Sequence, residues 1–175
     1  MAPATSPRYT PFLLVQLLST IMVTSETLIK ETHMTFYLQD WVTGKNVTAL
    51  PVAGRNKTSK PTDFDTIVVI DDAVTAGPKR SSPQVRRRAQ GTYVNSMMDG
   101  TDVHLFFSNI FTNAEYNGST LEIQGADRFS LNQREVSVVS GTGAFRFVRG
   151  YVVLTTVFFR NLNAVVQCNV TIRHY

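Results

Sequence analysis

From residue 34 onward, short runs of alternating or β-branched residues recur, separated by Gly, Pro, Asn and Asp, and no stretch carries a helical period. Alternation of period two predicts strands at 34–41, 66–71, 90–98, 103–112, 119–124, 134–140, 147–158 and 164–173. Asn117-Gly118 is the strongest local hairpin signal and sets the fourth and fifth strands antiparallel; Asp99-Gly100 does the same for the third and fourth. Strands joined in series by short turns predict an all-β fold, an eight-stranded antiparallel up-and-down β-barrel with a central cavity, because closure removes exposed edges. Residues 26–33 read as a loose lead-in. The segments 43–65 and 72–89, rich in Gly, Pro, Ser and Lys, read as long loops and candidate lids.

The last strand has the cleanest alternation: Ala164, Val166, Cys168, Val170 and Ile172 share one face, which makes Cys168 a core residue. Three charges break this rule elsewhere. Asp40 has the parity of Met34, Phe36 and Leu38; Asp127 has that of Leu121, Ile123 and Gly125; Arg134 has that of Val136 and Val138. Two acids and a base thus project onto the apolar side, where a charge must be paired or perturbed. Two readings stand at this point: an Arg–Asp bridge closing one end of the barrel, or a pair of acids with different neighbours and different protonation states, suited to general acid chemistry or to hydrogen bonding a phenol oxygen.

The 175 residues are about one domain's worth, and 43% hydrophobic against 17% charged content, with 11 Phe and 6 Tyr, fits a globular β fold or an aromatic-lined cavity. The first 25 residues differ: Arg8 is their only charge, and the run from Phe12 to Val23 is broken only by Gln16, Ser19 and Thr20. They read as a secretory signal peptide, too short for a membrane span, so the expected organisation is a signal peptide at 1–25 and one barrel domain at 26–175, with no membrane anchor. Loss of Arg8 takes the net charge from +4 to +3. Arg86-Arg87-Arg88 sits in a predicted Ser/Pro loop without stacking aromatics, which excludes a nucleic-acid partner and leaves a solvated loop or attraction to acidic polysaccharide. The single Cys168 forbids an internal disulfide, and the sequons at Asn46, Asn56, Asn117 and Asn169 point to glycosylation on the secretory route. His33, His104 and His174 are scattered, no G-x-S-x-G elbow occurs, and Gly141-Thr142-Gly143 and Asp71-Asp72 read as turn and loop punctuation, so neither metal nor cofactor is expected.

Five segments, Phe36-Tyr37-Leu38-Gln39-Asp40, Val68-Val69-Ile70-Asp71-Asp72, Arg88-Ala89-Gln90-Gly91-Thr92-Tyr93, Gly125-Ala126-Asp127 and Arg134 to Gly143, follow one another in an order and spacing that resembles the plant dirigent family, from about Met34 to Ile172. The chain departs from the family pattern in carrying Gln39 for a His, Arg87 for a Gly, Ser140-Gly141 within the Gly-Gly-Thr-Gly segment, and no paired cysteines. The resemblance implies a secreted glycoprotein of the apoplast or cell wall and a homo-oligomer, with a trimer expected and a dimer as the alternative. It also implies phenolic chemistry without an oxidising centre in the protein. Family members orient phenoxy radicals of monolignols such as coniferyl alcohol, made by a separate laccase or peroxidase, so that coupling gives one lignan enantiomer. Relatives act as dehydrating cyclases, closing isoflavonoid alcohols to pterocarpans through a quinone methide. By the same resemblance Asp40, Asp127 and Arg134 match pocket residues, the acids hydrogen bonding or protonating substrate oxygens and Arg134 orienting Asp127 or the substrate, while Tyr93 lines the cavity. Three functions are carried forward, in order: stereochemical guide for radical coupling, pterocarpan-type cyclase, and wall-binding protein without turnover.

Overall fold

Strand β1 (Lys30–Asp40) is the seam on which the architecture closes: it pairs β9 (Asn163–His174) antiparallel from Lys30↔His174 to Asp40↔Ala164, and its last residues pair β3 (Ile67–Thr75) at Tyr37↔Thr75. Between them run β2 (Ala49–Ala53), β4 (Gln84–Asn95), β5 (Val103–Phe111), β6 (Thr120–Asp127), β7 (Arg134–Gly141), a 3-10 turn (Gly143–Phe145) and β8 (Arg149–Arg160). The computed structural model describes residues 28–56 and 58–175. The predicted leader lies outside the described residues, as do the side chains of Arg86 and Arg87.

Each strand pairs the next antiparallel from β3 to β9, which gives the predicted up-and-down barrel of eight staves. The ninth strand, β2, shares one edge of β3 with β1: it pairs at Ala49↔Ile70 to Ala53↔Ile67, the half that β1 leaves uncovered. The segment 43–65 is therefore not all loop. Ala49–Ala53 carries no alternation and contains Pro51, tolerable here because an edge strand need not donate at every position.

The segment 72–89 is corrected more strongly. β3 runs to Thr75 and β4 starts at Gln84, so Asp72 and the three arginines lie in strands. Asp71-Asp72 reads in the sequence as loop punctuation, yet both aspartates obey the sheet's alternation. Asp71 faces outward, accepting from Arg88 Nε at 2.7 Å, while Asp72 faces inward beside Val74 and Ile70. Residues 30–33 likewise belong to β1 rather than to a lead-in. The Asn117-Gly118 and Asp99-Gly100 turns connect antiparallel neighbours, with Gly118 and Gly100 at φ 78° and 79°, although their loops are longer than two residues.

One end of the barrel is filled. Phe111, Tyr116, Phe145 and His174 stack with ring centroids 4.9–5.8 Å apart, over a middle layer of Phe36, Leu154, Cys168 and Ile172, all essentially without exposure. Cys168 is thus core, as its parity predicts. At Gly91 the inner face requires glycine: a Cβ there would stand 2.1 Å from the Phe106 carbonyl oxygen and 2.6 Å from Phe107 Cα. Gly91→Ala is expected to cost about 2 kcal/mol or more, because backbone must move, read as a lowered urea midpoint at unchanged slope.

Candidate functional site

The other end of the barrel is open, and the three charges predicted to face inward all reach it. Asp40 ends β1 opposite Ala164, Asp127 ends β6 opposite Val103, and Arg134 opens β7 opposite Leu154. Gly125 passes this parity on at φ 156°; a Cβ there would sit 3.0 Å from Val136 Cβ. Together with Tyr93, the three line a cavity of about 240 Å³ whose remaining wall is largely apolar, including Leu105, Phe129, Phe159, Leu162 and Val166. Pro61 and Thr62, from the loop after β2, form part of its rim.

Arg134 and Asp127 are an ion pair inside this wall, 6% and 7% exposed, joined through Arg134 Nε and Asp127 Oδ1. Arg134 Nη2 donates to Thr156 Oγ1 at 2.8 Å, which fixes the plane of the guanidinium. Its Nη1 is buried with no partner among the described residues, and so is Asp40 Oδ1. The bridge foreseen as one reading of the trio is therefore present. It uses one acid only, leaving a free N–H donor and a second acid facing the same space.

The two acids differ in what opposes their burial. Desolvation pushes Asp40 up to about 7, resisted by hydrogen bonding from Tyr93 and reinforced by the charge of Asp127. Burial also raises Asp127, but there the hydrogen bond and the positive charge of Arg134 pull the other way. Asp40 is consequently the group that exchanges a proton near neutrality. The Tyr93 phenol is driven upward, chiefly by burial and by the nearby Asp40 and Asp72, and remains a hydrogen-bond donor.

One acid was not foreseen as a site residue. Asp72 is 2% exposed, its Oδ1 lacks a partner among the described residues, and its carboxyl is held well above the usual range, first by burial and then by the charge of Asp40. The register Leu38↔Val74 and Gln39↔Ala73 brings it next to Asp40. The alternation Val68, Ile70, Asp72, Val74 contains the signal, had the strand been carried two residues further. Of the sequon residues, Asn46, Asn56 and Asn117 are exposed, while Asn169 lies on the outer face of β9 and accepts from Thr35 Oγ1 at 2.9 Å.

The chain and its barrel are similar to known proteins. The model of the family described as "Dirigent-like protein" matches residues 31–173. Dirigent protein 1 of Arabidopsis thaliana is 40% identical over 146 residues, covering 83% of this chain and 80% of that protein. Pterocarpan synthase 1 of Glycyrrhiza echinata is 38% identical over 152 residues, covering 83% and 79%. Among solved structures, the pterocarpan synthase dirigent protein GePTS1 superposes with a TM-score of 0.79 at 34% identity, over 87% of this chain and 89% of that one. With its closed antiparallel barrel and a family match spanning nearly all of that barrel, this chain belongs to the dirigent-like protein family.

Proposed function

We propose that the cavity binds one phenolic molecule and steers the stereochemistry of a quinone-methide closure within it, a dehydrating cyclisation of the pterocarpan type. The observation that carries this is the size and furnishing of a single site. About 240 Å³ lies below the ~300–1,000 Å³ usual for drug-sized ligands. It holds one ring-bearing molecule against an acid that is still partly protonated at neutral pH.

The steps balance without an oxidant. Asp40 donates its proton to a benzylic hydroxyl, the C–O bond breaks and water leaves, while the conjugated ring phenol releases its proton to Asp127. The methide oxygen left behind accepts a hydrogen bond from Arg134 Nη1. A second phenol of the same molecule adds to the methide carbon, forming the new C–O bond; its proton returns to Asp40, and Asp127 reprotonates the first ring oxygen. The net change is loss of one water. A positioned acid of matched pKa contributes roughly 10²- to 10⁴-fold.

Guidance of two coniferyl alcohol radicals, supplied by a separate laccase or peroxidase, is the second reading. Phe159, 61% exposed at the rim, favours it, because a second ring can stack there outside the cavity. Chiral chromatography over a panel of isoflavanols and monolignols, with and without oxidase, decides between them. A single enantiomer of cyclic ether formed without oxidant supports the first reading, and racemic closure at the uncatalysed rate excludes it. Enantiomeric excess confined to oxidase-generated lignan supports the second. Wall binding without turnover draws less support, since Arg88 is engaged by Asp71 at 2.6 Å.

Secretion to the apoplast, glycosylation and a homo-oligomer belong to the same proposal. The exposed Asn46, Asn56 and Asn117 support the glycans, and exposed Val69, Phe106 and Val139 on the outer face of the barrel support a self-association surface. A mass shift on endoglycosidase treatment checks the glycans, and a sedimentation mass of two or more chains, measured after that treatment, checks the oligomer.

Two substitutions separate the acids. Asp40 has its folded pKa raised from 3.8 to about 7, so the folded state holds its proton longer than the unfolded chain and stability falls as pH rises between those values. Asp40→Asn is therefore expected to raise Tm at about pH 8, leave it unchanged below about pH 4, and lower turnover at least about 100-fold. Asp127→Asn leaves the Arg134 guanidinium buried and unpaired and is expected to destabilise by about 3 kcal/mol or more, measured by urea unfolding.

A further inference from the structure

The β8–β9 hairpin overhangs the cavity mouth and turns in two residues. Arg160 pairs Asn163, and between them Asn161 and Leu162 take φ 50° and 65°. Two successive left-handed residues make the tight turn whose twist suits a hairpin and whose second position is ordinarily glycine. Asn161 tolerates the conformation; a leucine there is strained.

The strain is held in place by a clamp. The Asn163 side chain, in a residue 8% exposed, accepts from Val42 N at 2.9 Å and Thr43 N at 2.8 Å. Thr43 Oγ1 donates to the Asn161 carbonyl at 3.0 Å. The hairpin tip is thereby pinned to the segment that directly follows Asp40. Glycine would satisfy this turn without strain, but only a side chain reaches the cavity, and Leu162 lines it with Phe159 beside Ala164, the partner of Asp40. Strain retained where the surroundings over-determine it commonly marks a working residue.

We propose that Leu162 is a specificity-determining residue: the clamped turn presents it as an apolar wall beside Asp40, against which the aromatic ring of the substrate packs. A substrate turned over places its polar substituent on Leu162 and loses a hydrogen bond, so one facial arrangement is favoured. This rests on the reading of the cavity as a phenol site.

Two variants of the full chain test it. Leu162→Gly removes the side chain and the strain, and Leu162→Ala removes most of the side chain while keeping the left-handed backbone strained. Both are expected to lower the enantiomer ratio of the product by about threefold or more, with Tm raised in Leu162→Gly and not in Leu162→Ala. An unchanged ratio in both variants overturns the proposal, as does a Leu162→Gly protein that melts below the wild type. If the wild type turns over no phenol, the functional reading has failed on its own. Leu162 is then judged by titration with the apolar dye anilinonaphthalene sulfonate, where weakening of about threefold in both variants supports the wall and equal affinity overturns it.

Discussion

Closure of the barrel through β1 is the constraint on which the rest depends. A strand pairing β9 along its whole length and β3 at its end leaves no free edge between the first and last staves, and the stagger of that closure carries Asp40 to the open end. The opposite end is packed solid with aromatic rings. What remains is a short apolar cup, and any polar group on its wall must find a partner inside the protein or act on a ligand.

The chain places three acids and one guanidinium in or beside that cup. Arg134 offsets only Asp127, so Asp40 and Asp72 are left to accommodate burial by holding their protons. That arrangement costs stability at neutral pH, the usual relation between a working site and its fold. It also supplies what phenol chemistry needs in a dry space, namely a proton donor, a fixed donor N–H at Arg134 and a phenol that stays protonated at Tyr93. The strained tip at Asn161 and Leu162 belongs to the same pattern, held by Asn163 at the rim.

Most of this was legible in the residue order because a strand has a period of two. Asp40, Asp127 and Arg134 were found by following parity from apolar neighbours, and the structure brings all three to one cavity. Asp72 was missed because two adjacent acids resemble a loop start; only the pairing of β3 with both β1 and β4 shows the strand continuing to Thr75. The short β2 carries Pro51 and no alternation, so its place depends wholly on the edge that β3 offers. The rim residues Pro61, Thr62 and Phe159 come from a loop and a hairpin end brought over the mouth by the barrel's stagger, which no local pattern encodes. Asn161-Leu162 carries no turn glycine, and its geometry is held by hydrogen bonds that Asn163 and the Asn161 carbonyl accept from Val42 and Thr43, which lie outside the hairpin.

The central claim is that Asp40 keeps its proton into the neutral range because the barrel desolvates it while the guanidinium of the same cavity, Arg134, is paired with Asp127. Carbon NMR titration of the aspartate carboxyls, with the Asp40 resonance identified by its loss in an Asp40→Asn sample, measures this directly. The account predicts a midpoint at about 7; a midpoint near 4, the ordinary aspartate value, would contradict it.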